Sequence, residues 1–342
     1  MTLHPPGFWW RPPGLAAALL APVGAAIGAL TLRRMTQRGE EVPIPVLCIG
    51  NPTVGGAGKT PTALWYLDRL TSTGGRPFAL LRGHGGAVSA PLRVDLARDD
   101  ADAVGDEALL LARHAPTVVA GGDRAGGARL AVAAGATHLV MDDGFQNPSL
   151  AKDASLLVVD AMVGIGNGAV LPAGPLRAPL APQISRADAV LLVGEGAAGD
   201  AVARIAERLG RTVLRAMLAP SPEAVAALRG RRLHAFAGIG RPQKFFATLE
   251  REGLDLIART AFPDHHRFRR GDIEALARTA ARDGATLVTT AKDMARLGTA
   301  ELKDVQAAIA VLPVSLVPQE PAALDALLRR AEARAQARQA GC

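Results

Sequence analysis

Short apolar runs alternate with Ala- and Leu-rich stretches along most of the chain. Runs at 46–49, 78–81, 117–120, 138–141, 156–159 and 189–193 are rich in Val, Leu and Ile. That is the pattern of strands buried on both faces. Between several of them lie stretches with helical periodicity, as at 108–113 and 124–134. Alternation of this kind predicts parallel strands with crossover helices, hence an α/β fold built on a doubly wound, mostly parallel sheet with its ligand at the carboxyl ends of the strands. A second series at 233–237, 256–260, 286–289 and 308–311 follows Pro220-Ser221-Pro222 and predicts a smaller α/β unit. From Pro321 onward an Ala/Arg pattern predicts a solvated amphipathic helix.

The start of the chain follows a different pattern. No charged residue occurs from Pro12 to Leu32, with Trp9, Trp10 and Arg11 before the stretch and Arg33, Arg34 and Arg38 after it. Its length matches the roughly 20 residues needed to cross a bilayer. Its Ala and Gly content and Pro22 leave a helix lying in the interface equally open. A secretory signal is disfavoured, because the charge lies mainly downstream and no clean small-residue cleavage site follows. A membrane-associated helix is therefore expected, with a buried core helix as the alternative.

The first strand runs into Thr53-Val54-Gly55-Gly56-Ala57-Gly58-Lys59-Thr60, and Leu64, Leu67 and Leu70 follow at helical spacing. Strand, glycine loop and helix form the context of a phosphate-binding loop. Backbone N–H groups and the helix N-terminus face the phosphates, Lys59 reaches the β/γ-phosphates, and the Thr60 hydroxyl is a Mg²⁺ ligand. Thr53 stands where the usual pattern has its first glycine. The expected organisation is an N-terminal membrane-associated helix and flank at 1–40, a P-loop nucleotide-binding domain at 41–219 and a smaller C-terminal α/β domain at 220–342.

Composition narrows the partners. A net charge of +7 suits nucleic acid, anionic lipid or a phosphorylated substrate. Lys and Arg are scattered among acids, aromatics make up only 4% of the chain, and no zinc spacing or basic recognition helix is present, so nucleic acid is disfavoured. Cys48 and Cys342 provide neither a disulfide framework nor a metal set.

Further acids and histidines offer chemistry. The apolar run 138–141 ends in Asp142-Asp143-Gly144, the pattern of a strand that carries a carboxylate to Mg²⁺, although Asp-Gly is also an ordinary turn. Gly105-Asp106-Glu107 opens a helical stretch, where two acids complement the helix dipole. Asp264-His265-His266 follows the run 256–260, and a histidine pair of this kind is more often structural than catalytic.

Taken in order, Gly55-Gly56-Ala57-Gly58-Lys59-Thr60-Pro61, Arg82-Gly83-His84-Gly85-Gly86, Gly105-Asp106-Glu107, Asp142-Asp143-Gly144-Phe145-Gln146, Leu171-Pro172-Ala173-Gly174-Pro175-Leu176-Arg177, Ala237-Gly238-Ile239-Gly240 and Asp264-His265 resemble the tetraacyldisaccharide 4'-kinases of lipid A biosynthesis. The resemblance implies an ATP- and Mg²⁺-dependent kinase at the cytoplasmic face of the inner membrane. It would phosphorylate the 4'-hydroxyl of a tetraacylated glucosamine disaccharide 1-phosphate to give lipid IVA, with no obligate protein partner. It also implies that Asp106 is the base for the sugar hydroxyl, working with His265 and Lys59. Thr60, Glu107, Asp142 and Asp143 become candidates for the metal shell, and Arg82 and Arg177 for phosphate or headgroup contacts. Three positions depart from the family pattern: His84 stands where Tyr is usual, Ala108 where Pro is usual, and Ala178 where an acid is frequent. The rival reading is a membrane-associated nucleotide switch of the partitioning-ATPase type, against which stands Val54 at the position of that group's signature Lys.

Overall fold

A computed structural model of the protein describes residues 6–298 and 302–340; Cys342 and the first residues of the N-terminal flank lie outside them. The strands are β1 (Val46–Gly50), β2 (Pro77–Leu81), β3 (Leu92–Arg93), β4 (Thr117–Val119), β5 (His138–Asp142), β6 (Ala154–Asp160), β7 (Ala189–Val193), β8 (Thr212–Pro220), β9 (Arg232–Ala237), β10 (Asp255–Ala261), β11 (Thr286–Thr290), β12 (Ile309–Leu312) and β13 (Val314–Pro318). They form two sheets. The larger has the order β13-β8-β7-β6-β1-β5-β2-β4-β3, parallel except at its two edges, where β3 and β13 run antiparallel to their neighbours. The smaller, β10-β9-β11-β12, is parallel throughout.

The continuous apolar runs mark strands covered on both faces: every residue of β1, β2, β6 and β7 is buried. One face of the large sheet is covered by helices Lys59–Ser72 and Asp106–Ala112. The other is covered by Arg124–Ala133, Leu180–Arg186 and Ala197–Arg208. β1 lies between β5 and β6, and pairing of Ile49 with Asp142 brings the acid at the end of β5 level with the start of the glycine loop.

The C-terminal boundary differs from the expected 220–342 unit. After β12 the chain returns to the large sheet, where Val314 to Pro318 pair with β8. The tail helix Pro321–Ala340 is not merely solvated: Leu324, Leu327, Leu328, Ala331 and Ala335 are buried, most of them in the core under the large sheet. Each leucine covered in this way contributes about 1.5–3 kcal/mol. The Tyr66 hydroxyl donates to the Leu324 carbonyl, and Arg69 makes a two-point pair with Asp325. Amphipathicity is common to surface and docked helices, so the pattern alone could not tell which cover the apolar side had. β13 itself is a five-residue edge strand that follows Pro313 and ends on Pro318, and the two prolines mask its strand character.

The N-terminal helix Leu15–Met35 is long and apolar enough to cross a membrane. It is also docked along one face. A Cβ at Gly24 would meet the Val170 carbonyl oxygen at 2.7 Å, and one at Gly28 would meet Pro179 at 3.0 Å, so these glycines permit close approach to the body. Trp9 donates from Nε1 to the Pro172 carbonyl. The opposite face carries Leu15, Leu19, Val23, Ile27 and Leu30, with Leu15 86% and Leu19 80% exposed.

Candidate active site

The C-terminal ends of both sheets' strands supply the chemistry-bearing residues, as open α/β sheets place their ligands. Within the phosphate loop Gly55 and Gly58 have φ of 104° and 96°, a region that glycine enters without a Cβ penalty. Thr53 bridges to Leu176, the Val54 N–H donates to the Pro175 carbonyl, and Ala57 is buried, so segment 171–177 braces the loop from outside. Gly56 is open to solvent space, and Lys59 and Thr60 begin the helix.

The Thr60 hydroxyl donates to Asp142 Oδ2 at 2.9 Å. Asp142 Oδ1 is buried and has no hydrogen-bond partner among the described residues. Burial, reinforced by the charge of Glu107, raises the Asp142 pKa from 3.8 to about 7. A buried carboxylate oxygen lacking a donor, next to a threonine hydroxyl and a second acid, suits a hard divalent cation that brings phosphate and water oxygens with it. Asp143 is differently employed. Both its oxygens accept from Arg177, at 2.6 and 2.8 Å, and Lys59 lies 3.7 Å away. Its φ is 59°, unusual for a residue with a side chain. Arg177 also donates to the Thr53 carbonyl. Expected as a metal ligand and a substrate contact respectively, Asp143 and Arg177 are here paired with each other and tie the acid strand to the phosphate loop. The reason is geometric: a planar guanidinium and a carboxylate on facing loops match two-for-two.

A raised carboxyl pKa has a stability consequence. Asp142 leaves the metal-free fold unpenalised only below its ordinary value of 3.8, where it is protonated in folded and unfolded chains alike; stability is then lost progressively as pH rises from there to about 7, above which the full cost of the buried charge remains. Asp142→Asn should therefore raise the Tm of nucleotide-free protein at pH 8 and raise it clearly less at pH 5, where only part of the penalty has accumulated. Equal shifts at both pH values would mean that no buried charge forms at this position.

Asp106 begins the helix Asp106–Ala112 and is buried. Its Oδ2 accepts from Arg296 Nε at 2.8 Å and lies 2.5 Å from Nη2, with His265 Nδ1 at 3.4 Å and Lys292 Nζ at 3.9 Å. Burial favours the protonated form, but the His265 hydrogen bond and the charges of Lys292 and Arg296 outweigh it and hold the carboxyl well below the usual range. Glu107 accepts from Lys292 at 2.8 Å. His265 comes from the loop after β10, with φ of 56° and its N–H bonded to the Gly238 carbonyl. Residues in sparsely populated backbone regions cluster at functional sites, where surrounding contacts hold them. His84, the departure from Tyr, lies edge-on to His265 with centroids 5.9 Å apart.

Arg296 and Lys292 were assigned no role from the sequence. They lie four residues apart in the helix Ala291–Arg296 directly after β11, so one helical face carries both cations to Asp106 and Glu107. The signal was their spacing at the carboxyl end of a strand. Arg124 was likewise missed; it is buried and donates to the Asp143 carbonyl. Together with the exposed Arg82, with Arg177, Glu107 and the two acids, it lines a cavity of about 250 Å³. A shallower hollow at the opposite end of the sheet, lined by Pro45, His138 and Glu332 among others, is remote from these groups.

Residues 16–332 match the family model of the tetraacyldisaccharide-1-P 4'-kinases. The chain is 66% identical to the tetraacyldisaccharide 4'-kinase of Xanthobacter autotrophicus, over 98% of this chain and 99% of that one. It is 56% identical to the kinase of the same name from Azorhizobium caulinodans, over 97% and 98%. The fold resembles LpxK from Aquifex aeolicus, solved in complex with ATP, with a TM-score of 0.71, 23% identity, and coverage of 93% of this chain and all of that one. With the motifs in order and the match nearly end to end, the chain belongs to the tetraacyldisaccharide-1-P 4'-kinase family.

Proposed function

We propose that the enzyme transfers the γ-phosphate of ATP to the 4'-hydroxyl of a tetraacylated glucosamine disaccharide 1-phosphate, giving lipid IVA. The observation that carries this reading is the convergence of the phosphate loop and its acids with the Asp106–His265–Arg296 cluster, which joins residues of the two sheets. Phosphoryl transfer asks the protein mainly for positioning and charge stabilisation. Ionised Asp106 accepts a hydrogen bond from the sugar hydroxyl and takes its proton late, when the bond to phosphorus is forming and the hydroxyl has become acidic. His265 and Arg296 orient the carboxylate, and Lys59 neutralises charge building on the transferred group. Thr60, Asp142 and Glu107 would hold Mg²⁺, which when bound neutralises the β- and γ-phosphates. Asp143 orients Lys59 and Arg177 from behind.

The two connections between the sheets touch one another, the Ser221 N–H donating to the Pro313 carbonyl, and a closing of the two units on nucleotide and substrate would pivot there. Incubating purified protein with ATP, Mg²⁺ and the disaccharide lipid should add a single phosphate at the 4'-position. Absence of that product, with the protein folded, would overturn the reading.

An acylated substrate calls for access from the lipid phase. The Leu15–Leu30 stripe supports a helix that dips its free face into the cytoplasmic side of the inner membrane, with Arg33 and Arg34 at anionic headgroups. Because the glycine face makes the contact with the body, replacing Leu15, Leu19 and Val23 by Asp should move the protein to the soluble fraction with the fold intact. Continued sedimentation with membranes at high salt would place the attachment elsewhere.

A further inference from the structure

A cation reaches the phosphate loop from the other side of the cleft. Arg241 immediately precedes the helix Pro242–Arg251, and its Nη2 donates both to the Gly56 carbonyl, at 3.2 Å, and to Asp160 Oδ2. Lys244, in the first turn of that helix, donates to the same oxygen at 2.5 Å. Asp160 closes β6 and its side chain is only 8% exposed, while the other carboxylate oxygen accepts from the Met162 N–H at 3.0 Å. Thus one buried carboxylate of the first sheet holds two cations of the second, and one of those cations also rests on the glycine loop.

Two features distinguish this from a plain structural ion pair. The Gly56 carbonyl is a neutral acceptor in a loop with open space around it, whereas a polyphosphate in that loop would offer charged oxygens at the same rim. A planar guanidinium prefers such oxygens, which it can meet two at a time. Asp160, moreover, has a reserve partner. When Arg241 turns away, Lys244 stays, so the buried carboxylate is not left unpaired.

We propose that Arg241 is a nucleotide-binding residue that exchanges Asp160 and the Gly56 carbonyl for the terminal phosphates of ATP, while Lys244 keeps Asp160 paired and acts as the pivot. Phosphate-loop occupancy is thereby transmitted through the helix Pro242–Arg251 to the unit that carries His265 and Arg296. The inference rests on the nucleotide reading of the loop.

The test is ATP and ADP titration of the full-length wild type and of Arg241→Met, Arg241→Lys, Lys244→Met and Lys59→Ala, each checked by Tm, together with steady-state KM values. Arg241→Met should weaken ATP binding about 10–100-fold, the range expected for loss of a charge-assisted hydrogen bond. ADP binding should weaken less, and the KM for the lipid should not change. Lys244→Met should weaken ATP binding several-fold although it makes no phosphate contact, because Asp160 would be stranded when Arg241 leaves. Arg241→Lys, which keeps a charge for Asp160 without the fork, should recover part of the loss and serves in place of the Met variant if that one fails to fold. Wild-type ATP affinity in the Arg241 variants, with only a lowered Tm, would reduce the cluster to a structural tie and overturn the proposal. A wild type that does not bind ATP, or binds it equally well with Lys59→Ala, would instead overturn the nucleotide reading itself.

Discussion

Asp106→Asn should lower kcat by about 10²–10⁴-fold, the contribution of a positioned general base, with little change in the KM for ATP. Asn keeps the shape of Asp and can still face Arg296, but it cannot accept the proton of the sugar hydroxyl. Arg296 retains Asp293 Oδ1 at 2.8 Å and the Gly238 carbonyl at 2.6 Å, so the buried guanidinium is not left wholly unpaired and the protein should fold. His265→Ala should lower kcat by a smaller factor within the same range. Because the two side chains meet at one carboxylate oxygen, 3.4 Å apart, the double variant should be little worse than Asp106→Asn alone. Losses that simply multiply in the double variant would show that the residues act independently. A near wild-type kcat for Asp106→Asn would return Asp106 to a purely structural role under Arg296 and the helix dipole.

Lys59→Ala should cost about 10³-fold or more in kcat/KM for ATP, because the lysine is both a phosphate contact and the cation that offsets the acids around it. Its ammonium lies 3.7 Å from Asp143, and its charge also acts on Asp142 and Glu107. Removing it leaves three carboxyl groups facing incoming phosphates with one fewer cation. The defect should appear in nucleotide affinity as well as in turnover, unlike that of Asp106→Asn, which separates the two roles in one set of measurements. Lys59→Arg should rescue little, since a wide planar fork does not fit where a compact ammonium is enclosed at 12% side-chain exposure. Activity within tenfold of wild type in Lys59→Ala would sink the cradle assignment.

Much of the fold was legible along the chain because buried parallel strands are written locally, as apolar runs with glycine or proline at their ends. β1, β5, β6, β7, β9 and β11 each fall on such a run. The phosphate loop was legible for the same reason: its chemistry is carried by neighbours in sequence, with a strand before and a helix after. The apolar N-terminal stretch likewise announced its length and lack of charge.

What depends on residues far apart in sequence was settled only by folding. Sequence could name Asp106 and His265 but not bring them within 3.4 Å, and it offered no sign that Arg296, 190 residues from Asp106, lies between them. Nor did it show that Asp143 is occupied by Arg177, or that Arg241 crosses the cleft to Asp160, since an ion pair has no sequence spacing when its members sit on different loops. The return of β13 and the docking of helix Pro321–Ala340 depended on which surface the preceding elements left uncovered. The face of the N-terminal helix that remains free was decided by where Gly24 and Gly28 find a backbone to approach. Local pattern dictates what each segment can bury, and only the assembled sheets decide against what it is buried and which charges are left to meet across the gap.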